Sequence, residues 1–143
     1  MEIKIKLAPD AIMPTRATEG SAGWDLYCPS EGYSISGMEE PYAFIMDTGV
    51  YVEIPEGYVG LVFERSSLWE KGISLNNKVG VIDSDYRGSI KLPLSSSRSL
   101  FDFRKNPRIA QLVIVPCPEV QLVLAGELSE TERGAGGLGS TGV

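Results

Sequence analysis

The residues best suited to chemistry sit in five short segments. Gly80-Val81-Ile82-Asp83-Ser84-Asp85-Tyr86-Arg87-Gly88 sets two carboxylates, a phenol and a guanidinium beside apolar, strand-like residues. Alternation from Val81 predicts Asp83 and Asp85 on one side of the chain and Ile82 on the other. A carboxylate in that setting orients and deprotonates a water. Read in isolation, the same segment also fits a charged, solvated β-turn. Glu64-Arg65-Ser66-Ser67-Leu68 offers a guanidinium and two hydroxyls after an apolar run, a reasonable phosphate contact; Ser66 or Ser67 alone also suits a helix cap. Arg108-Ile109-Ala110-Gln111-Leu112 opens an apolar run with Arg and Gln, and Ser21-Ala22-Gly23-Trp24-Asp25-Leu26-Tyr27 ends a Pro- and Gly-punctuated loop in a carboxylate.

The fifth segment is the tail from Arg133 to Gly142, with five glycines in ten positions. Glycine backbone lets N–H groups approach an anion closely, Ser140 and Thr141 add hydroxyl donors, and Arg133 adds a charged fork. The combination suits an arm that wraps a polyphosphate, and the same composition suits a flexible tail. It lacks the Lys and following helix of a Walker A loop.

These segments need elements to hold them. Strand-like runs are read at 2–7, 43–46, 49–54, 59–63, 79–82, 89–94, 100–103, 109–115 and 120–124, with turns at Asp47-Thr48 and Pro55-Glu56-Gly57. A short helical turn is read at 67–71 before Gly72. Many short strands with frequent turn signals predict an all-β barrel or sandwich.

Composition narrows the function. The chain has 143 residues, enough for one domain, and no histidine, which excludes His-built zinc sites and imidazole acid–base catalysis. Acid–base work falls to carboxylates, Lys, Tyr or a metal-bound water. A formal charge of −6 argues against a nucleic-acid polymer as partner, since phosphate neutralisation needs clustered cations. It leaves room for a small anion held by local arginines. Cys28 and Cys117 are too few for a disulfide scaffold and read as reduced thiols. The N-terminal alternation is unlike a signal peptide, and no apolar run is long enough for a membrane helix, so a cytoplasmic or nuclear protein, not a secreted one, is expected.

In order, Ala22 to Leu26, Arg65-Ser66-Ser67, Gly80 to Gly88, Arg108 to Leu112 and Arg133 to Gly142 resemble the five sequential motifs of the dUTP pyrophosphatase (dUTPase) family. Met13-Pro14-Thr15 and Thr48-Gly49 resemble its connecting signatures, and the likeness runs from about residue 13 to 142. It implies a jelly-roll-like β-barrel of the β-clip type over 1–125. It also implies a C-terminal arm, 126–143, that closes over a site shared between the subunits of a homotrimer. An arm of this composition is expected to order only when a triphosphate offsets its entropy.

The resemblance also implies roles. Asp83 is the general base that activates water for in-line attack on the α-phosphorus of dUTP, giving dUMP and pyrophosphate. That reaction keeps uracil out of DNA and supplies dUMP for thymidylate synthesis. Tyr86 stacks on the deoxyribose and leaves no space for a 2′-hydroxyl. Asn77 and the strand through Gly80 and Val81 read the uracil edge. Arg65, Ser66 and Ser67, with Gln111, position phosphates and water. Asp25 reaches Mg2+ through the ion's water shell. Arg133, Ser140 and Thr141 clamp the γ-phosphate, with Gly137, Leu138 and Gly139 completing the arm, while Arg108 holds the site together. The alternatives are a homologous dCTP deaminase, which needs amino-group recognition in place of Tyr86, and a trimeric barrel kept mainly for regulatory protein binding.

Three positions depart from the family pattern. Glu64 stands where Pro is frequent, bringing negative charge near the triphosphate. Lys105-Asn106-Pro107 replaces a Gly-acidic turn. Leu138 stands where an aromatic covers the uracil, and base–aromatic stacking contributes about 1–3 kcal/mol. Leu138→Phe is therefore expected to lower KM for dUTP in steady-state assays, and an unchanged KM would overturn the assignment of Leu138 to the base.

Overall fold

The computed structural model describes residues 1–29, 42–97 and 108–137. Its strands are β1 (Lys4–Leu7), β2 (Trp24–Tyr27), β3 (Tyr42–Glu53), β4 (Tyr58–Glu64), β5 (Ile73–Leu75), β6 (Val79–Ile82), β7 (Ser89–Ser96) and β8 (Arg108–Pro116). One sheet has the order β1-β3-β7-β5 and the other β2-β8-β4-β6, and every pairing is antiparallel. The all-β expectation holds.

Alternation drives the assembly. In β7, Ile90, Leu92 and Leu94 point inward with Lys91 exposed between the first two. They join Met46, Val50 and Val52 of β3 and Ile73 and Leu75 of β5. The other sheet contributes Leu26, Val62, Ile109 and Leu112 to the same apolar cluster, so the two sheets share one core. Each fully buried Leu, Ile or Val contributes about 1.5–3 kcal/mol. Cys28 is buried among them, and desolvation pushes its thiol up to about 11. It stays protonated and inert, while Cys117 is exposed; both are free.

The structure corrects the sequence reading in several places. The runs 43–46 and 49–54 form one strand, not two joined by a turn. Between Asp47 and Tyr51 the register of β3 against β7 shifts, making a bulge. There Asp47 Oδ1 accepts the Gly49 N–H at 2.9 Å, and Gly49 adopts φ 65°. That left-handed conformation costs glycine little and other residues more. Residues 24–27 and 73–75 are strands that the pattern did not mark, each too short to show a period. The helical turn is a 3-10 helix, Ser66–Lys71, without a side-chain cap, so neither serine caps it.

The run 120–124 is not a strand. Leu122 and Leu124 are 95% and 101% exposed, because no strand of this chain among the described residues offers its backbone a partner. The expected run at 100–103 lies outside the described residues. Among those described, no helix is long and apolar enough to cross a membrane.

Candidate functional site

Asp83 sits just beyond the end of β6, and its neighbours come from both sheets. A cleft of ≈ 190 Å³ is lined by Asn77, Gly80, Val81, Asp83 and Tyr86, and by Leu75 of β5 and Lys91 and Leu92 of β7. Among the described residues β6 is an edge strand, hydrogen-bonded only to β4, so one row of its N–H and C=O groups is left for another partner. A side chain at Gly80 would crowd its neighbours. A Cβ at that position would lie 3.2 Å from the Val62 Cβ and 3.4 Å from the Asn77 Nδ2. The turn that presents Asn77 is strained: Lys78 has φ 60°, and among the described residues it is the single non-glycine with positive φ.

Asp83 and Asp85 do not share a side. Asp83 lines the cleft, whereas Asp85 lines a separate groove with Lys4, Glu53, Ser84 and Arg87. The strand ends at Ile82, and a turn closes with the Tyr86 N–H donating to the Asp83 carbonyl at 3.1 Å. Period-two alternation stops where the strand stops. Arg87 braces this turn, donating from Nη1 to the Ser84 carbonyl at 2.6 Å and to the Tyr86 carbonyl at 3.0 Å.

A second group lies across the same sheet, on β2, β8 and the end of β4. Asp25 is buried at 6% exposure. Its Oδ1 pairs with Arg65 Nε at 2.9 Å and its Oδ2 with Arg108 Nη1 at 3.4 Å. One carboxylate thus fixes two guanidiniums, and the cluster keeps a net positive charge suited to phosphate. Gln111 pairs directly opposite Asp25 in the β2–β8 ladder. Gly23 makes room for it, since a Cβ there would lie 2.8 Å from the Gln111 Oε1. Ser66 and Ser67 follow Arg65 in the 3-10 helix. The Glu64 carboxylate is engaged elsewhere: it accepts the Leu75 N–H at 3.0 Å and ties β4 to β5.

These two groups do not line one cleft. Of Arg65, Ser66, Ser67, Gln111 and Arg133, none lines the pocket that holds Asp83 and Tyr86. Arg133 turns back on its own segment, donating from Nε to the Gly136 carbonyl at 2.8 Å, and Gly137 is exposed. Leu138, Gly139, Ser140 and Thr141 lie outside the described residues. Lys91 and the Asp25 ion pairs escaped the sequence reading; the ion pairs arise from strand pairing across long separations, not from local spacing. Among the described residues no group of three or more His, Cys, Asp or Glu could cage a metal ion.

The comparisons with known proteins converge. A model of the dUTPase family matches residues 9–142. A deoxyuridine 5'-triphosphate nucleotidohydrolase of Hydrogenobaculum sp. is 44% identical over 140 residues, covering 96% of this chain and 95% of that protein. The enzyme of the same description from Escherichia phage T5 is 41% identical, with 98% of each chain covered. Among solved structures, a variant dUTPase of Staphylococcus bacteriophage 80alpha with dUpNHpp superposes with TM-score 0.82 at 28% identity, covering 99% of both chains. A variant dUTPase of phage phi11 of S. aureus, described with a structural Mg(II) ion, superposes with TM-score 0.73 at 25% identity, covering 89% of this chain and 98% of that one.

Proposed function

The chain belongs to the dUTPase family and carries that family's reaction, dUTP and water to dUMP and pyrophosphate; from this premise we propose that Asp83 is the general base. The observation that carries the reading is the cleft in which Asp83, Tyr86 and Asn77 meet the open edge of β6. Asn77 and the Gly80–Val81 backbone receive the uracil edge. A cytosine amino group would leave a donor facing a donor, and such unpaired polar groups are rejected strongly. Tyr86 covers the deoxyribose. The Asp83 carboxylate takes a proton from water as the water oxygen bonds to the α-phosphorus. The bond from that phosphorus to the α,β-bridging oxygen breaks, and pyrophosphate leaves with the electron pair.

Arg65 and Gln111, with Ser66 and Ser67, belong to the phosphate end of the site, held by Asp25 and Arg108. Support for a homotrimer with shared sites comes from the separation of these two groups in one chain. The exposed apolar run at 120–124 points the same way, since a neighbouring subunit would cover it. Arg133 and Gly137, with Leu138, Gly139, Ser140 and Thr141, form the arm that closes on the triphosphate, beyond a barrel core at 1–125. Both cysteines are free, which suits the reducing cytoplasm or nucleus.

The donor set suits Mg2+ carried by the substrate. Magnesium keeps several waters and takes phosphate oxygens readily. Both Asp25 oxygens already accept guanidiniums, so this carboxylate offers a contact to the ion's water shell and no direct bond. When bound, the ion would neutralise phosphate charge as the leaving group departs.

A panel of dNTPs with Mg2+ tests the function. Pyrophosphate release from dUTP is expected to exceed that from dCTP by about 10⁴-fold in kcat/KM, the scale set by a matched polar edge. Ammonia release from dCTP would favour the deaminase alternative. Equal background from every nucleotide would favour a regulatory barrel.

A further inference from the structure

Tyr86 is held by a chain of contacts that begins on the opposite sheet. Its hydroxyl donates to the Ser89 carbonyl at 2.9 Å. Its ring folds back over Gly88, where a Cβ would come within 2.3 Å of the phenol oxygen. The orientation of the ring therefore follows the backbone of residues 88–89. Ser89 is 5% exposed and lies where the β3–β7 ladder is interrupted, opposite the Asp47–Tyr51 bulge. Side chains replace the ladder there. The Ser89 hydroxyl donates to Asp47 Oδ2 at 2.8 Å, while the other Asp47 oxygen accepts the Gly49 N–H at 2.9 Å. Thr48 makes a parallel clamp, donating to the Ile90 carbonyl at 2.8 Å.

We propose that Asp47 is a positioning residue for sugar selection: through the Ser89 hydroxyl it fixes the carbonyl that aims Tyr86, and so sharpens the preference for deoxyribose over ribose. This rests on the reading of Tyr86 as the sugar contact. A ring free to tilt by a small angle opens space for a 2′-hydroxyl without leaving the cleft. Loss of the link should therefore act on the substrate ratio more than on the rate with dUTP.

The experiment compares kcat/KM for dUTP and UTP, together with thermal melting, in full-length variants. Ser89→Ala and Asp47→Ala are each expected to lower the dUTP:UTP ratio about fivefold to tenfold, the effect of one lost hydrogen bond. Asp47→Asn, whose amide can serve both Gly49 and the Ser89 oxygen, should restore the ratio to within about twofold. Thr48→Val removes the neighbouring clamp and should lower the melting temperature with the ratio unchanged. Should Asp47→Ala not fold, Ser89→Ala decides alone. An unchanged ratio in Ser89→Ala, or a loss in Thr48→Val equal to that in Ser89→Ala, would overturn the proposal. Tyr86→Ala separates the two layers: if it leaves the ratio intact, the sugar-contact reading itself fails.

Discussion

Asp83→Asn is expected to lower kcat for dUTP by about 10³-fold, with KM within about threefold and melting unchanged. The magnitude is that of a positioned general base, whose removal costs about 10²–10⁴ in rate. Asn keeps the shape and a hydrogen-bond acceptor but cannot take the proton from water. The fold should not notice the change. Asp83 lies beyond the end of β6, and among the described residues its contact with the turn is through its backbone carbonyl, which accepts the Tyr86 N–H. Asp85→Asn is the matched control, since Asp85 lines the other groove, and its rate should stay within about twofold. Pyrophosphate release under saturating dUTP reads both variants. Loss of less than tenfold in Asp83→Asn, or equal losses in the two variants, would remove Asp83 from the role of base.

Asp25→Ala should damage stability and catalysis together. Removing one member of a buried ion pair leaves its partner's charge uncompensated, at about 3–5 kcal/mol when both are enclosed. Here the partners are less enclosed: the Arg65 side chain is 25% exposed and that of Arg108 48%. Solvent screening brings the expected loss down to about 2 kcal/mol, or a melting temperature lower by about 5 °C for a domain of this size. Arg65 would also lose the contact that aims it. With phosphate binding weakened, kcat/KM for dUTP is expected to fall about 100-fold, the scale of a misplaced positioning group. Asp25→Asn, which retains one acceptor, should fall between. Melting and kinetics unchanged in Asp25→Ala would refute the ion cluster as the anchor of the phosphate end.

Much of the architecture was legible because burial on one face imposes a period of two. The 79–82 run became β6 with the same bounds, and 59–63, 89–94 and 109–115 became β4, β7 and β8 with ends extended by one or two residues. The misreadings have physical causes. Asp47-Thr48 carries turn chemistry, but its polar groups serve a bulge inside β3, and only pairing with β7 distinguishes the two. Val120 to Leu124 has the composition of a strand and lacks a partner strand among the described residues of its own chain. Asp85 followed Asp83 in the pattern only while a strand was assumed to continue beyond Ile82.

The sequence by itself determined the chemical inventory: no histidine, a carboxylate beside a phenol at 83 and 86, a glycine-rich arm, and an order of motifs that resembles one enzyme family. Those properties survive any arrangement of the chain, since residue type and spacing carry them. The tertiary structure decided which groups meet. It paired Asp25 with Arg65 and Arg108, placed Lys91 and Asp83 on one cleft, and linked Asp47 to Tyr86 through Ser89. The ion pairs of Asp25 and the bond between Ser89 and Asp47 join residues that lie far apart in the chain, and strand pairing brings them together. A register slip of one residue would send strand residues among them, such as Asp25, Asp47 and Ser89, to the opposite face.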